Sequence, residues 1–253
     1  MIDILPSIEN IQNFKKRIMI NIPYKYRSYV SYGVILFSYK TKRCVLVKRK
    51  HSFQFLVILS GNYRPSSLIV LIPNITKKES KILLKCIFDK KIYISYVKNI
   101  LNYEINIDTS YEKLYENHEM IIKLYEKNSF DNDLKWNFPK GKLEYNVDKS
   151  ILSCAYREFE EEIGVKIPDL IYISDTWIKS SFTSFDFKKI ESKFIICFIE
   201  DEFVIDSVNN DDEISDRGWF SLKEMKKMIK DNDFYKIIKN NYNLIMNLLD
   251  ESD

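Results

Sequence analysis

Residues 136–165, WNFPKGKLEYNVDKSILSCAYREFEEEIGV, decide the fold of this 253-residue chain. They begin with a short apolar stretch and pass through PKGK, a basic turn that contains a glycine. An amphipathic pattern with apolar residues at helical spacing follows. The segment therefore predicts a strand, a loop and a helix that runs from about Lys149 to Ile163 and ends at Gly164.

Three carboxylates share one face of the predicted helix. At about 100° per residue, Glu158, Glu161 and Glu162 fall within an arc of roughly 100°, whereas Glu160 points the other way. Such like charges repel each other, and a bound Mg²⁺ or Mn²⁺ would explain the arrangement because these ions prefer oxygen ligands. A solvated acidic face is the commoner interpretation of such a run taken alone. The basic turn upstream favours phosphate chemistry, because it brings backbone groups and a lysine close to an anion.

These residues resemble the Nudix box, GX5EX7REUXEEXGU with U aliphatic, and the chain matches it at Gly141, Arg157, Glu158, Glu161, Glu162, Gly164 and Val165. WNFPKGK and CAYREFEEEIGV most resemble the Nudix enzymes of large DNA viruses that decap messenger RNA. Residues 213–222, EISDRGWFSL, are similar to a segment that follows the core strands in those proteins. The resemblance implies the α+β class and the Nudix fold, a mixed β-sheet core between helices.

The chain departs from the box in two places. From Gly141 to Arg157 the spacing is two residues longer than in the motif, so the first box glutamate has no direct equivalent. Asp148 or Glu144 would replace it. We expect Asp148, at the predicted helix start, both to cap the helix and to pair with Arg157. The second departure is Phe159, where the motif has an aliphatic residue.

The resemblance also implies the catalytic machinery. Glu158, Glu161 and Glu162 would hold one or more divalent cations, together with the carbonyl of Lys140, and the cation would activate water for attack on phosphorus. Glu161 and Glu162 are therefore both metal-binding and catalytic candidates. Glu213 is the candidate for activating the water, as a metal ligand or general base.

Other residues receive supporting roles. Glu200, at the end of a predicted strand, is the rival of Glu213. Lys140 and Lys142 would bind phosphate and stabilise charge on its non-bridging oxygens. The expected structural supports of the site are Gly141, Asp148, Arg157 and Gly164.

The chain divides into three segments. Residues 1–51 and 131–253 would form the Nudix domain, with the box at 141–165. Residues 52–130 would form a mainly helical insertion. Residues 29–50 predict a β-hairpin. Thr76 and Glu79 predict a capping box, so a helix begins near Lys77, and a second helical pattern runs from Tyr111 to Tyr125.

The insertion is the expected RNA-binding part. Its lysines are interleaved with Phe88, Tyr93 and Tyr96, and a basic, aromatic surface suits an RNA backbone with stacked bases. In a lysine-rich chain such spacing also arises by chance, and the aromatics would then be core residues. The RNA-binding candidates are Lys77, Lys78, Lys81 and Lys85, and a basic track would extend over Lys15, Lys16, Arg17, Lys48, Arg49 and Lys50.

Composition limits the remaining possibilities. Thirty-nine Lys and Arg against 36 Asp and Glu leave a net charge of +3, too low for binding nucleic acid through bulk charge alone. The four cysteines form no CxxC pair, and no apolar run is long enough to span a bilayer, so we expect no membrane insertion and a cytoplasmic protein. If the protein is viral, that is the cytoplasm of the host.

Three functions fit the motifs. The leading hypothesis is a hydrolase that uses Mg²⁺ or Mn²⁺ and cleaves the 5′ cap of capped RNA, releasing m7GDP and 5′-monophosphate RNA. The second is hydrolysis of small pyrophosphates, such as diphosphoinositol polyphosphates or nucleoside diphosphate derivatives, because the box recognises only the pyrophosphate. The third is a non-catalytic RNA-binding protein with a degenerate Nudix scaffold.

Overall fold

The structure is a computed structural model that describes residues 30–101, 105–167, 170, 172–175, 177–183, 189–206, 213–228, 240, 241, 245 and 247. Eight strands and eight α-helices lie within these residues. The strands are β1 (Val30–Ser38), β2 (Arg43–Arg49), β3 (Trp136–Asn137), β4 (Lys140–Lys142), β5 (Tyr172–Ile173), β6 (Ile178–Thr183), β7 (Lys189–Ile199) and β8 (Ile214–Ser221). The helices are α1 (Phe53–Leu59), α2 (Leu68–Leu71), α3 (Lys77–Phe88), α4 (Lys90–Ile100), α5 (Ile107–Glu116), α6 (His118–Glu126), α7 (Ile151–Ile163) and α8 (Leu222–Met228).

The sheet is mixed. Its central strand β1 runs parallel to β7 and antiparallel to β2 and β4. β2 pairs with β1 at Cys44 but with β3 at Val47 and Lys48, so β1 and β2 diverge along their length. β3 and β4 occupy the space that this divergence opens, and they carry the WNFPKGK segment into the sheet. The predicted hairpin and the α+β class with a mixed sheet are therefore confirmed.

Both faces of the sheet are covered, which explains the nearly continuous apolar sequence of β1. Alternate residues of β1, β2 and β7 point to opposite faces. One face packs against α7, with Phe159 fully buried in its core. The opposite face packs against Met225 of α8 and Ile245.

Helices fill the chain between β2 and β3 and share a core of their own. The capping box at Thr76 and Glu79 is present, as predicted. The second helical pattern is two helices rather than one, because the chain breaks at Asn117 between α5 and α6. Tyr93 is fully buried and its hydroxyl donates to the carbonyl of Leu59, so its expected place on an RNA-stacking surface is wrong.

Some predicted elements start elsewhere or lie outside the described residues. α7 begins at Ile151, two residues after the predicted start, because Ser150 and not Asp148 caps it. β6 was missed by the sequence patterns, and β8 occupies a segment recognised only as a motif. Lys15, Lys16 and Arg17 lie outside the described residues, as do residues 207–212 and most of the residues after Met228.

Two further features follow from the described residues. None of the helices among them is both long and apolar enough to cross a membrane. The four cysteines, at positions 44, 86, 154 and 197, are all free and buried.

The buried ring of Phe159 gives a test of the packing of α7. We expect Phe159→Ala to lower the free energy of unfolding by about 3–5 kcal/mol, because it removes a fully buried ring from a dense core. Phe88→Ala is the matched control, since that ring is 67% exposed, and its change should stay below about 0.5 kcal/mol. Urea unfolding followed by circular dichroism measures both. Equal losses in the two variants would contradict the packing described.

Candidate active site

Helix α7 is fixed at both ends. The Ser150 hydroxyl accepts from the backbone N–H of Ser153, and the Ser153 hydroxyl in turn accepts from the Ser150 N–H, which completes a capping box. Gly164 ends the helix in the left-handed region at φ 76° and its N–H donates to the carbonyl of Glu160. A side chain there would be strained, which explains the box glycine. Arg217 of β8 secures the same end by donating to the carbonyl of Glu162.

Gly141 lies directly under the carboxylate of Glu158. A β-carbon at position 141 would collide with the carboxylate of Glu158, so any side chain would displace this carboxylate. Glycine therefore permits this close contact with α7 and is not needed for a turn. The close approach brings the main chain of β4 and the acidic face of the helix together.

Arg157 joins four groups around the site. Its guanidinium donates to both oxygens of Asp148 at 2.9 and 3.0 Å and to the carbonyl of Lys142 at 2.9 Å. It also pairs with Glu158 at 3.0 Å and Glu161 at 2.9 Å. These carboxylates, Asp148 first, raise the pKa of Arg157 above its usual value despite the cost of burial.

Asp148, and not Glu144, is the close partner of Arg157. Its side chain is 2% exposed and it pairs with Arg157 as predicted, whereas Glu144 is 60% exposed and lies 3.8 Å from the same guanidinium. The expected capping role of Asp148 is wrong. Asp148 instead accepts from the N–H of Glu144 and closes the loop that precedes α7.

Glu162 faces the basic turn. Its side chain is 8% exposed, and Oε2 accepts from the backbone N–H of Lys140 at 3.0 Å. Oε1 lies 3.7 Å from the guanidinium of Arg49, at the end of β2. The sequence had placed Arg49 only on a possible RNA track. No sequence signal links it to Glu162, because the sheet brings together residues far apart in the chain.

Burial makes this cluster electrostatically costly. Desolvation raises the pKa of Glu158 to about 7, against the opposite effect of Arg157. It raises the pKa of Glu162 to about 7 as well, although Arg49 and the N–H of Lys140 favour the charged form. Desolvation and the charge of Arg49 lower the pKa of Lys140 to about 8. Two carboxylates and one lysine in one place thus have pKa values near neutrality, as is common in functional sites.

The remaining predicted carboxylates lie in different places. Glu161 is 57% exposed and turned towards Arg157. Glu213 is exposed at the start of β8, where its carbonyl accepts from the N–H of Lys50, next to Arg49. Glu200 lies at the opposite end of the sheet, beyond the Ser38–Ile199 pair, and forms an ion pair with Lys40. Its position makes Glu200 unsuitable as the rival of Glu213.

The other lysines predicted to bind phosphate or RNA lie on the surface. Lys142 is exposed, and its carbonyl holds Arg157. The α3 lysines 77, 78, 81 and 85 are all exposed. Whether any of these side chains binds phosphate or RNA stays a prediction.

The donors fit a hard dication, although among the described residues no three His, Cys, Asp or Glu side chains already converge into a metal site. Glu158 and Glu162 offer only oxygen donors and are nearly buried. Their negative charges are compensated by the ion pairs of Glu162 with Arg49 and of Glu158 with Arg157. Glu161 would have to leave Arg157 to join them. Oxygen ligands of this kind suit Mg²⁺ or Mn²⁺.

Residues 115–240 match the family model of the NUDIX domain. This match covers about half of the chain and includes the PKGK turn and the carboxylates of α7, but not Arg49. The chain therefore belongs to the Nudix family.

Relatives of this chain include viral proteins that share one name. The chain is 30% identical over 135 residues to the mRNA-decapping protein g5R of a Kenyan pig isolate of African swine fever virus, covering 49% of this chain and 53% of that protein. It is 30% identical over 131 residues to the g5R protein of a Namibian warthog isolate, covering 48% and 52%. The chain thus spans about half the length of the curated relatives it matches.

One solved structure is a weaker likeness. It is a bifunctional NMN adenylyltransferase/ADP ribose pyrophosphatase from Francisella tularensis, with a TM-score of 0.44 and 12% identity. The match covers 94% of this chain and 46% of the other. A likeness at this level has no bearing on substrate.

The raised pKa of Glu162 gives a pH-dependent test. Its pKa of about 7 in the folded protein lies above the ordinary value of 4.5, so its ionisation opposes folding and the free energy of unfolding falls as pH rises between these values. In metal-free protein, Glu162→Gln should therefore raise stability by about 1–3 kcal/mol near pH 8 and by little near pH 5.

Thermal and urea unfolding in a chelator measure this effect at both pH values. Glu160→Gln, on the opposite face of α7, is the matched control and should show no such gain. A destabilised Glu162→Gln variant at the higher pH would contradict the burial cost assigned to this carboxylate.

Proposed function

We propose that this protein is a divalent-cation-dependent Nudix hydrolase that cleaves the 5′ cap of mRNA, releasing m7GDP and 5′-monophosphate RNA. The observation that carries the proposal is the pair of nearly buried carboxylates, Glu158 and Glu162, held against the main chain of β4. The relationship to viral proteins named for mRNA decapping supports RNA as the substrate. On this proposal the enzyme would act on mRNA in the host cytoplasm.

The residues of the site have separate tasks. Glu158, Glu161 and Glu162 would hold Mg²⁺ or Mn²⁺, which Nudix hydrolases generally use and which lowers the pKa of a bound water. Glu213 would accept the proton of the attacking water. The water oxygen forms a new bond to phosphorus while the anhydride P–O bond breaks, and the leaving phosphate oxygen keeps the electron pair.

The basic residues beside the carboxylates would bind the substrate's phosphates. Lys140 and Arg49 both lie next to Glu162, so the negative charge that grows on the non-bridging oxygens would meet two cations. Lys142 is exposed beside them, on the strand that carries Gly141. Their placement supports recognition of a pyrophosphate, and it does not distinguish a cap from a smaller pyrophosphate.

Capped RNA with a radiolabelled methylated cap tests the proposal. With Mn²⁺ or Mg²⁺ we expect labelled m7GDP, and Glu162→Gln should lower the rate by about a hundredfold or more, because it removes a charged ligand. Glu160→Gln is the control and should keep the wild-type rate. Chelation of the metal should stop the reaction and its return should restore it.

The same assay also tests the competing function, hydrolysis of small pyrophosphates. If folded protein releases no m7GDP with either metal, the decapping proposal is wrong. Hydrolysis of diphosphoinositol polyphosphates or nucleoside diphosphate derivatives under those conditions would then identify a small pyrophosphate as the substrate. Inactivity on both, without measurable metal affinity, would leave a non-catalytic scaffold.

A further inference from the structure

A cleft opens beside the proposed active site, between the helices and the sheet. It has a volume of about 440 Å³. One wall is formed by Lys50 and His51, directly after β2, and by Ser215 of β8. The other wall is the first turn and a half of α3, with Lys78 and Ile82.

The cleft adjoins the carboxylate cluster through the main chain. Lys50 follows Arg49, whose guanidinium lies 3.7 Å from Glu162. The Ser215 hydroxyl donates to the carbonyls of Lys48 and Arg49 at 3.0 Å each, and thereby ties β8 to the end of β2. A polymer whose phosphates reach Arg49 would therefore meet this cleft as it leaves the site.

The acidic residues of the cleft already form hydrogen bonds or ion pairs within the protein. Glu79 is 2% exposed and accepts from the N–H and hydroxyl of Ser52, at 2.6 and 2.8 Å, and from the N–H of Thr76 at 2.8 Å. His51, 3.7 Å away, and these donors hold the pKa of Glu79 below its usual value despite its burial. The Asp133 carboxylate lies 3.2 Å from the amine of Lys48.

The lysine side chains, in contrast, continue outward along α3. Lys78, Lys81 and Lys85 are exposed at i, i+3 and i+7, so they form one stripe of the helix that starts in the cleft. At 1.5 Å per residue the stripe is about 10 Å long. A row of cations along a helix suits a polyanion rather than a compact ligand.

We propose that this cleft binds the phosphodiester backbone of the RNA nucleotides that follow the scissile pyrophosphate, through Lys50 and Lys78, and directs the strand onto the stripe of Lys81 and Lys85. The proposal rests on the proposed function, because it takes RNA as the substrate. It assigns to Glu79 the part of a positioning residue. By binding the residues that begin α1 and α3, its carboxylate fixes the lysine stripe relative to the end of β2.

Binding of a fluorescent, uncapped 5′-monophosphate oligoribonucleotide to the full chain tests the cleft without relying on catalysis. We expect the double variant Lys50→Ala/Lys78→Ala to bind about tenfold more weakly or worse, with a salt dependence reduced by about two ion equivalents. The double variant Lys123→Ala/Lys127→Ala is the matched control, since both lysines are exposed on or just after α6 and neither lines the cleft. It should retain wild-type affinity and salt dependence.

Equal losses in the two double variants, or no loss in either, would overturn the proposal, because affinity would then reflect general basicity or another surface. Crosslinking gives a second readout that does not depend on mutants. A 4-thiouridine as the first nucleotide should crosslink within residues 50–52 or 76–82, and crosslinks confined to other segments would also overturn it.

Release of m7GDP from capped RNA by the wild-type protein is measured in parallel. If it fails while oligonucleotide binding depends on Lys50 and Lys78, the decapping proposal falls and the RNA cleft stands. If it succeeds without that dependence, the cleft falls and the decapping proposal stands.

Discussion

The guanidinium of Arg157 holds together the helix and the loop from which the site is built. It binds Asp148 on the loop, the carbonyl of Lys142 on β4, and Glu158 and Glu161 on its own helix. Asp148 and Glu158 are almost fully buried, and removing the partner of such charges typically costs about 3–5 kcal/mol. One cation thus allows an acidic cluster to exist inside the fold, and the rest of the site depends on it.

Backbone geometry supplies the remaining constraint. Because β1 and β2 diverge, β3 and β4 can enter the sheet between them and present the PKGK turn to α7. Gly141 then lets a carboxylate approach the strand as no other residue would, and the N–H of Lys140 binds Glu162. The burial that raises the pKa of both glutamates is therefore a consequence of the fold, and a bound dication would offset it.

Local sequence predicted the parts of this site that depend on local structure. The acidic face of α7, the closing Gly164 and the pairing of Asp148 with Arg157 all lie within one short segment, where helical periodicity determines the neighbours. Arg49 was missed because only the pairing of β2 within the sheet brings it to Glu162. Tyr93 was misplaced for a related reason, since spacing alone does not tell which face of a helix meets a core. Ser150 caps α7 in place of Asp148, because the Asp148 carboxylate is bound to Arg157.

Anomalous diffraction from crystals grown with Mn²⁺ tests the central claim most directly, namely that the carboxylates held against β4 form a divalent-cation site. We expect an anomalous peak about 2.2 Å from oxygens of Glu158 or Glu162, with Glu161 turned away from Arg157. A peak found only at other carboxylates, or no peak at saturating Mn²⁺, would contradict it.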